Sequence, residues 1–161
     1  DVYKRQLNER PAVEAIEVGA GDEFEVAGAT VKVGATDHRP VEPTVAFRVE
    51  ADGTSVVLGG DGVPCAGLDE LCAGAGAYVQ TVIRDDLVRL APAARLQDIL
   101  DYHSTVEQAA QTAAKAGVGT LVLTHYVPAL MPGQEDAWRA LAAAHFSGPI
   151  VLGDDLTAVD L

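Results

Sequence analysis

The chain reads as an α/β protein on three observations. Short apolar, β-branched runs joined by tight turns fill the sequence up to residue 60, helical and strand patterns alternate from residue 67 onward, and several strand runs end in a polar side chain. The last of these is the functional clue, because strands that present polar groups at their carboxyl ends can gather residues from distant positions into one crevice.

Taken in order, Val13 to Val18 alternates as a strand, and Gly19 to Glu23 turns. Phe24–Val26 and Ala29–Val33 predict a hairpin around Ala27-Gly28. Thr44 to Glu50 is a strand, and Asp52-Gly53 is a tight-turn signal into Thr54 to Leu58, so these strands run antiparallel. The pattern then predicts a short helix near 67–73, a strand at 77–83, a helix at 104–116, a strand at 119–124 and a helix at 134–146. Closing strands follow at 149–152 and 156–160. The helix at 104 is the best specified. Ser104 or Thr105 can cap it, Glu107 and Gln108 lie in its first turn, alanines fill it, and Gly117 ends it. With no linker or repeat, the chain is one domain.

Composition narrows the class. At 161 residues, with 48% hydrophobic and 5% aromatic residues, the chain is a globular domain rich in alanine and valine. A formal charge of −13 opposes long-range attraction of polyanions such as RNA, so nucleic-acid binding would need a local basic patch. Arg84, Arg89 and Arg95 are the nearest approach to one and read as solvated surface. No apolar run approaches the roughly 18 residues of a membrane span, and the start lacks a secretory layout, so the expectation is a cytoplasmic protein without membrane contact. Cys65 and Cys72 lack C-x-x-C spacing and are expected to be reduced and structural.

His38, Asp61 and His125 are the candidate metal ligands. Each follows an apolar strand run: Ala29-Thr30-Val31-Lys32-Val33, Val56-Val57-Leu58-Gly59-Gly60 and Leu121-Val122-Leu123-Thr124. Two imidazoles and a carboxylate suit zinc or iron, and a carboxylate has two oxygens with which to bridge two cations. Each alone has a plainer reading as a hydrogen-bonded structural residue. His103 sits just before the helix that starts at Ser104. There the exposed N–H groups and the positive end of the helix dipole favour an anion, so a histidine can meet a phosphate or sulfate oxygen; its plainer reading is the residue before a cap. Trp138 and Met131 read as packing residues, His145 as a cation at a helix end, and Asp154-Asp155 as a turn.

Read together, Asp37-His38 with Ala46-Phe47-Arg48-Val49, Val57-Leu58-Gly59-Gly60-Asp61-Gly62, Tyr102-His103-Ser104-Thr105-Val106-Glu107-Gln108-Ala109-Ala110 and Leu123-Thr124-His125 resemble the later motifs of the ribonuclease Z group of the metallo-β-lactamase superfamily. Order and approximate spacing fit over most of residues 24–160. The resemblance implies an αββα sandwich, of which this chain is the C-terminal half, with two zinc ions at its edge. Carried over residue by residue, His38 would bind one zinc, Asp61 would bridge both and His125 would bind the other. His103 would touch the scissile phosphate or protonate the leaving group as the catalytic residue. Two zinc ions about 3.5–4 Å apart suit phosphodiester hydrolysis.

Three departures accompany the resemblance. The signature H-x-H-x-D-H is absent: the histidines stand at 38, 103, 125 and 145. The His-Glu-Ala-Thr phrase after the bridging aspartate appears as Gln80-Thr81-Val82-Ile83, and the Ser-x-Arg-Tyr after the last ligand as Tyr126-Val127-Pro128-Ala129. Only residues 39–60 separate His38 from Asp61, which leaves no room there for a tRNA-gripping arm. The opening hexapeptide Asp1-Val2-Tyr3-Lys4-Arg5-Gln6 is also the translation of GAT GTG TAT AAG AGA CAG, the transposon end of sequencing libraries. Residues 1–6 are therefore expected to be an artefact, with 7–161 the C-terminal part of the domain.

The expected function is a zinc-dependent metallohydrolase that cleaves a phosphodiester, in RNA (tRNA 3′ processing) or a smaller substrate. The alternatives are an arylsulfatase or small-ester hydrolase on the same scaffold, or a catalytically silent fragment. The expected partners are a small phosphodiester or RNA substrate, with a homodimer as one assembly the chain allows.

Overall fold

The computed structural model describes residues 14–92 and 97–161. The hexapeptide 1–6, Val13 and Arg95 lie outside them. Among the described residues one seven-stranded sheet carries the structure, and its strand order is the chain order. β1 (Glu23–Val26), β2 (Ala29–Ala35), β3 (Val45–Ala51) and β4 (Thr54–Gly60) form an antiparallel meander. Both of its two-residue turns take left-handed φ at each position: 51° and 85° at Ala27 and Gly28, 51° and 79° at Asp52 and Gly53. Positive φ at both central residues is the type I′ pattern, whose twist matches that of the flanking strands.

Beyond β4 the pairing becomes parallel. Helix α1 (Ala66–Cys72) crosses to β5 (Ala77–Ile83). Helix α2 (Asp85–Val88), a 3₁₀ turn at Asp98–Asp101 and helix α3 (Val106–Ala116) precede β6 (Thr120–Val127). Helix α4 (Glu135–Ala143) leads to β7 (Ile150–Leu152). Of the two cap candidates, Thr105 is used. Its hydroxyl accepts the Gln108 N–H at 3.2 Å while the Gln108 side chain accepts the Thr105 N–H at 2.9 Å, and Gly117 closes α3 at φ 67°. α1 has no basic residue in its last turn; Arg48 from β3 supplies the charge, donating to the Leu71 and Ala73 carbonyls at 2.7 and 2.8 Å.

α1, α3 and α4 cover one face of the sheet. Val57, Tyr78, Val82, Leu121 and Leu123 point to that side and join Leu68, Val106, Ala109, Ala113 and Trp138 in one buried core. Each fully buried Val or Leu there contributes roughly 1.5–3 kcal/mol. The alternate residues, among them Phe47, Val49, Val56, Leu58 and Val79, form a second apolar face. No helix packs on it among the described residues, so one helical and one β layer of an αββα sandwich are present.

Several expectations fail locally. Glu14–Val18 forms no strand, with Glu14–Glu17 exposed and Ile16 78% accessible, because the alternating pattern finds no partner strand among the described residues. The 156–160 strand is absent too: the chain turns at Asp154 to Thr157, and Leu156 takes a φ of 67° with its side chain in solvent. Met131 is exposed, whereas Trp138 is fully buried. Arg84 is not solvated surface: its guanidinium pairs with Asp86 and lies over the Trp138 ring. α2 and the 3₁₀ turn were not foreseen, being too short to show a period. No helix is long and apolar enough to cross a membrane among the described residues.

Candidate metal centre

β2 is antiparallel to β3 and β3 to β4, so β2 points the same way as β4, β5, β6 and β7. Everything that follows these strands therefore emerges at one edge. His38 follows β2, Asp61 follows β4, His103 precedes α3 after β5, and His125 lies near the end of β6. All four sequence candidates meet there.

Two strand irregularities aim them. Between β4 and β5, Leu58 and Gly60 stand opposite Val79 and Gln80, so Gly59 is an extra residue. Between β5 and β6, Thr81 and Ile83 stand opposite Thr124 and Val127, so β6 carries one residue more across His125 and Tyr126. Such bulges bend the strand and redirect the side chain. His125 itself sits at φ 47°, a sparsely populated conformation for a residue with a side chain, and such strain concentrates at functional sites.

Ligand atoms of His38, Asp61 and His103 all lie within 4.8 Å of one another. Asp61 faces two imidazoles at once: Oδ2 is 3.9 Å from His103 Nε2 and Oδ1 is 4.0 Å from His125 Nε2. The rings are held from behind. His38 Nδ1 is 2.8 Å from the Tyr102 carbonyl and His103 Nδ1 is 3.2 Å from the Ile99 carbonyl. A carbonyl can only accept, so each Nδ1 carries a proton, and in His103 this leaves Nε2 as the ring nitrogen that faces Asp61. That tautomer is the one a metal needs from histidine. Tyr102 and His103 also pack on His38 edge-on. Burial holds the His103 imidazole below its ordinary pKa, against the raising effects of the Ile99 carbonyl and the Asp61 carboxylate, while His38 and His125 push the same way as burial.

The donor set fits a divalent cation: imidazole nitrogens, two of the rings held by backbone carbonyls, around a half-exposed carboxylate whose two oxygens face different rings. By proximity alone His103 stands as near Asp61 as His125 does. Five contributors escaped the sequence reading: the Tyr102 and Ile99 carbonyls, Gln80, Thr81, and Ser104 used as something other than a cap. A backbone carbonyl leaves no trace in side-chain identity, and a lone Gln or Ser carries no spacing signal. The cysteines stand apart from the site: both are free, and burial pushes the Cys72 thiol up to about 12.

An α/β sheet that gathers three histidines and an aspartate at one strand edge defines a candidate metal centre. The Beta-lactamase superfamily domain matches residues 1–126. The chain is 63% identical over 159 residues to ribonuclease Z of Mycobacterium avium (strain 104), which takes in 99% of this chain and 57% of that protein. The chain thus belongs to the metallo-β-lactamase superfamily, in its ribonuclease Z-like group, and spans a little over half the length of that relative. Among solved structures, the metallo-beta-lactamase fold protein YhfI from Bacillus subtilis superposes with a TM-score of 0.70 at 21% identity, covering 88% of this chain and 53% of its own. Human tRNase Z, short form, does so at 0.57 and 23% identity, over 85% and 44%. At these identities the two structures speak for the fold alone.

Proposed function

We propose that the protein is a metal-dependent phosphodiesterase of the ribonuclease Z type, acting on RNA, with two zinc ions in the complete site. The observation that carries this reading is Asp61, a carboxylate whose two oxygens face different histidines at 3.9 and 4.0 Å. His38 would serve one ion, His125 the other, and Asp61 both. The remaining ligands would come from an upstream segment bearing H-x-H-x-D-H. Zinc, when bound, supplies Lewis acidity and neutralises charge at the attacked phosphate.

The chain's own residues do the rest. His103, at the entrance to α3, holds or moves a proton at Nε2, the atom turned toward Asp61 while Nδ1 is tied to Ile99. Similarity to the Mycobacterium avium ribonuclease Z supports an RNA substrate.

One feature favours a second reading. The cavity of about 550 Å³ beside His125 is bounded by Glu135, Asp154 and Asp155. Acidic walls repel a polyanion and tolerate a small ester or aryl sulfate. The test is hydrolysis by the full-length protein of precursor tRNA, an aryl phosphodiester and an aryl sulfate, with zinc content measured in parallel. Cleavage of the RNA or the phosphodiester supports the first reading, and cleavage of the sulfate alone replaces it with the second. Absence of both metal and turnover leaves a silent domain.

A further inference from the structure

The segment Gln80-Thr81, where the ribonuclease Z pattern is lost, lies against the loop that presents Asp61. Gln80 is 1% exposed on the helix-covered side of β5. The Tyr78 hydroxyl donates to its Oε1 at 2.7 Å, and its Nε2 donates to the Gly60 carbonyl at 2.9 Å and the Thr81 carbonyl at 3.1 Å. Burial keeps the Tyr78 phenol protonated and thus a donor. The Thr81 hydroxyl donates to the same Gly60 carbonyl at 2.9 Å. As strand neighbours, Gln80 and Thr81 project to opposite faces, so this one carbonyl is gripped from both sides of β5.

That carbonyl belongs to the planar peptide whose nitrogen is Asp61's own, and fixing its oxygen fixes the plane from which the carboxylate hangs. The grip has something to restrain. Asp61 is flanked by Gly60 at φ 68° and Gly62 at φ 155°, residues with more backbone freedom than any other. Downstream, the buried Ser104 hydroxyl donates to the Gly62 carbonyl at 2.8 Å. Upstream, Gly59 leaves the space Gln80 needs: a Cβ there would collide with Gln80 Oε1 and stand 3.0 Å from the Tyr78 ring.

We propose that Gln80, fixed by Tyr78 and seconded by Thr81, is the positioning residue for Asp61, setting the Gly60–Asp61 peptide so that one carboxylate can address two sites. This rests on the reading of Asp61 as a metal ligand given above. Site geometry of this kind has to be held to about half an ångström, and two glycines cannot do so unaided.

The test is Co²⁺ titration of the full-length protein by calorimetry, with the visible absorption of bound cobalt recorded for each variant. Gln80→Met keeps the volume and removes the donor. It should weaken Co²⁺ by about 10-fold, the lower end for loss of a group supporting a ligand, and alter the cobalt spectrum. Thr81→Val and Tyr78→Phe should give smaller shifts in the same direction, and they carry the test if Gln80→Met does not fold. Val82→Ala, a cavity in the same strand, should lower Tm and leave affinity and spectrum unchanged. Unaltered cobalt binding in all three hydrogen-bond variants overturns the positioning role, as does an equal loss in Val82→Ala. Wild-type protein that binds no Co²⁺, or Asp61→Ala that binds it undiminished, overturns the metal reading itself.

Discussion

Through its middle the sheet runs in regular register, with Val31 opposite Val49, Phe47 opposite Leu58 and Leu121 opposite Ile150. At the edge where the histidines gather, β4 and β6 each carry an extra residue, His125 takes a left-handed φ, and side chains take over carbonyls that a ladder would otherwise use. The middle is held by apolar burial and pairing, which tolerate change in proportion to the volume lost. The edge is held by a few directional hydrogen bonds, each of which sets the aim of a side chain. Stability and metal binding should therefore respond to different mutations.

The largest effect that sharpens this contrast is expected from Asp61→Ala in the full-length protein. Metal and turnover should disappear together while the fold survives, read by zinc analysis and circular dichroism, since the side chain is half exposed and supports no core. Retained zinc would break the scheme. His103→Ala should keep the metal and lower turnover by roughly 10²–10⁴-fold, the range for one positioned proton donor. If zinc leaves with it, His103 is a ligand and the division of roles with His125 is wrong.

A cut in the middle should do the reverse. Leu121 is fully buried, and Leu121→Ala is expected to cost about 3 kcal/mol in urea unfolding with Co²⁺ affinity unchanged well below the midpoint. Altered affinity in that variant would mean that the two regions are not separable. The smallest effect concerns pH. His103 has its pKa lowered in the fold, so the unfolded chain binds its proton more readily. The stability associated with the neutral ring is present above about pH 6.5 and is lost as pH falls below it. Urea titrations of the metal-free protein between pH 7.5 and 5 should show this decline, and His103→Asn should flatten it. The paired carboxylates Asp37, Glu50 and Asp86 are held low by Arg39, by Lys32 with Arg48, and by Arg84 respectively, so their contribution fades only at more acid pH.

The same contrast separates what the sequence disclosed from what it did not. The hairpins at Ala27-Gly28 and Asp52-Gly53, the capped helix α3 and the alternation of helix and strand after residue 67 were legible because turn chemistry and periodicity are local. His38, Asp61, His103 and His125 could be picked out because each followed a strand or preceded a helix, and the structure brings them to one edge. The bulges were not legible, since an extra residue is extra only relative to a partner strand. Gln80 looked like the loss of a motif because its value lies in a carbonyl twenty residues earlier in the chain. Glu14–Val18 and 156–160 misled because alternation marks a strand only where a neighbour exists to pair with it.

A sheet whose strand order repeats the chain order has a consequence for its assembly. No strand has to be threaded between two already joined, so each newly made segment can dock on the one before it. His38 and Asp61 would then be in place while β6 is still to come, and His125 would arrive last. Pulsed hydrogen exchange during refolding should show β2 to β4 protected no later than β6 and β7; earlier protection of the C-terminal strands would exclude this order. The metal site would then mature as the sheet is completed, with ion capture marking the end of folding.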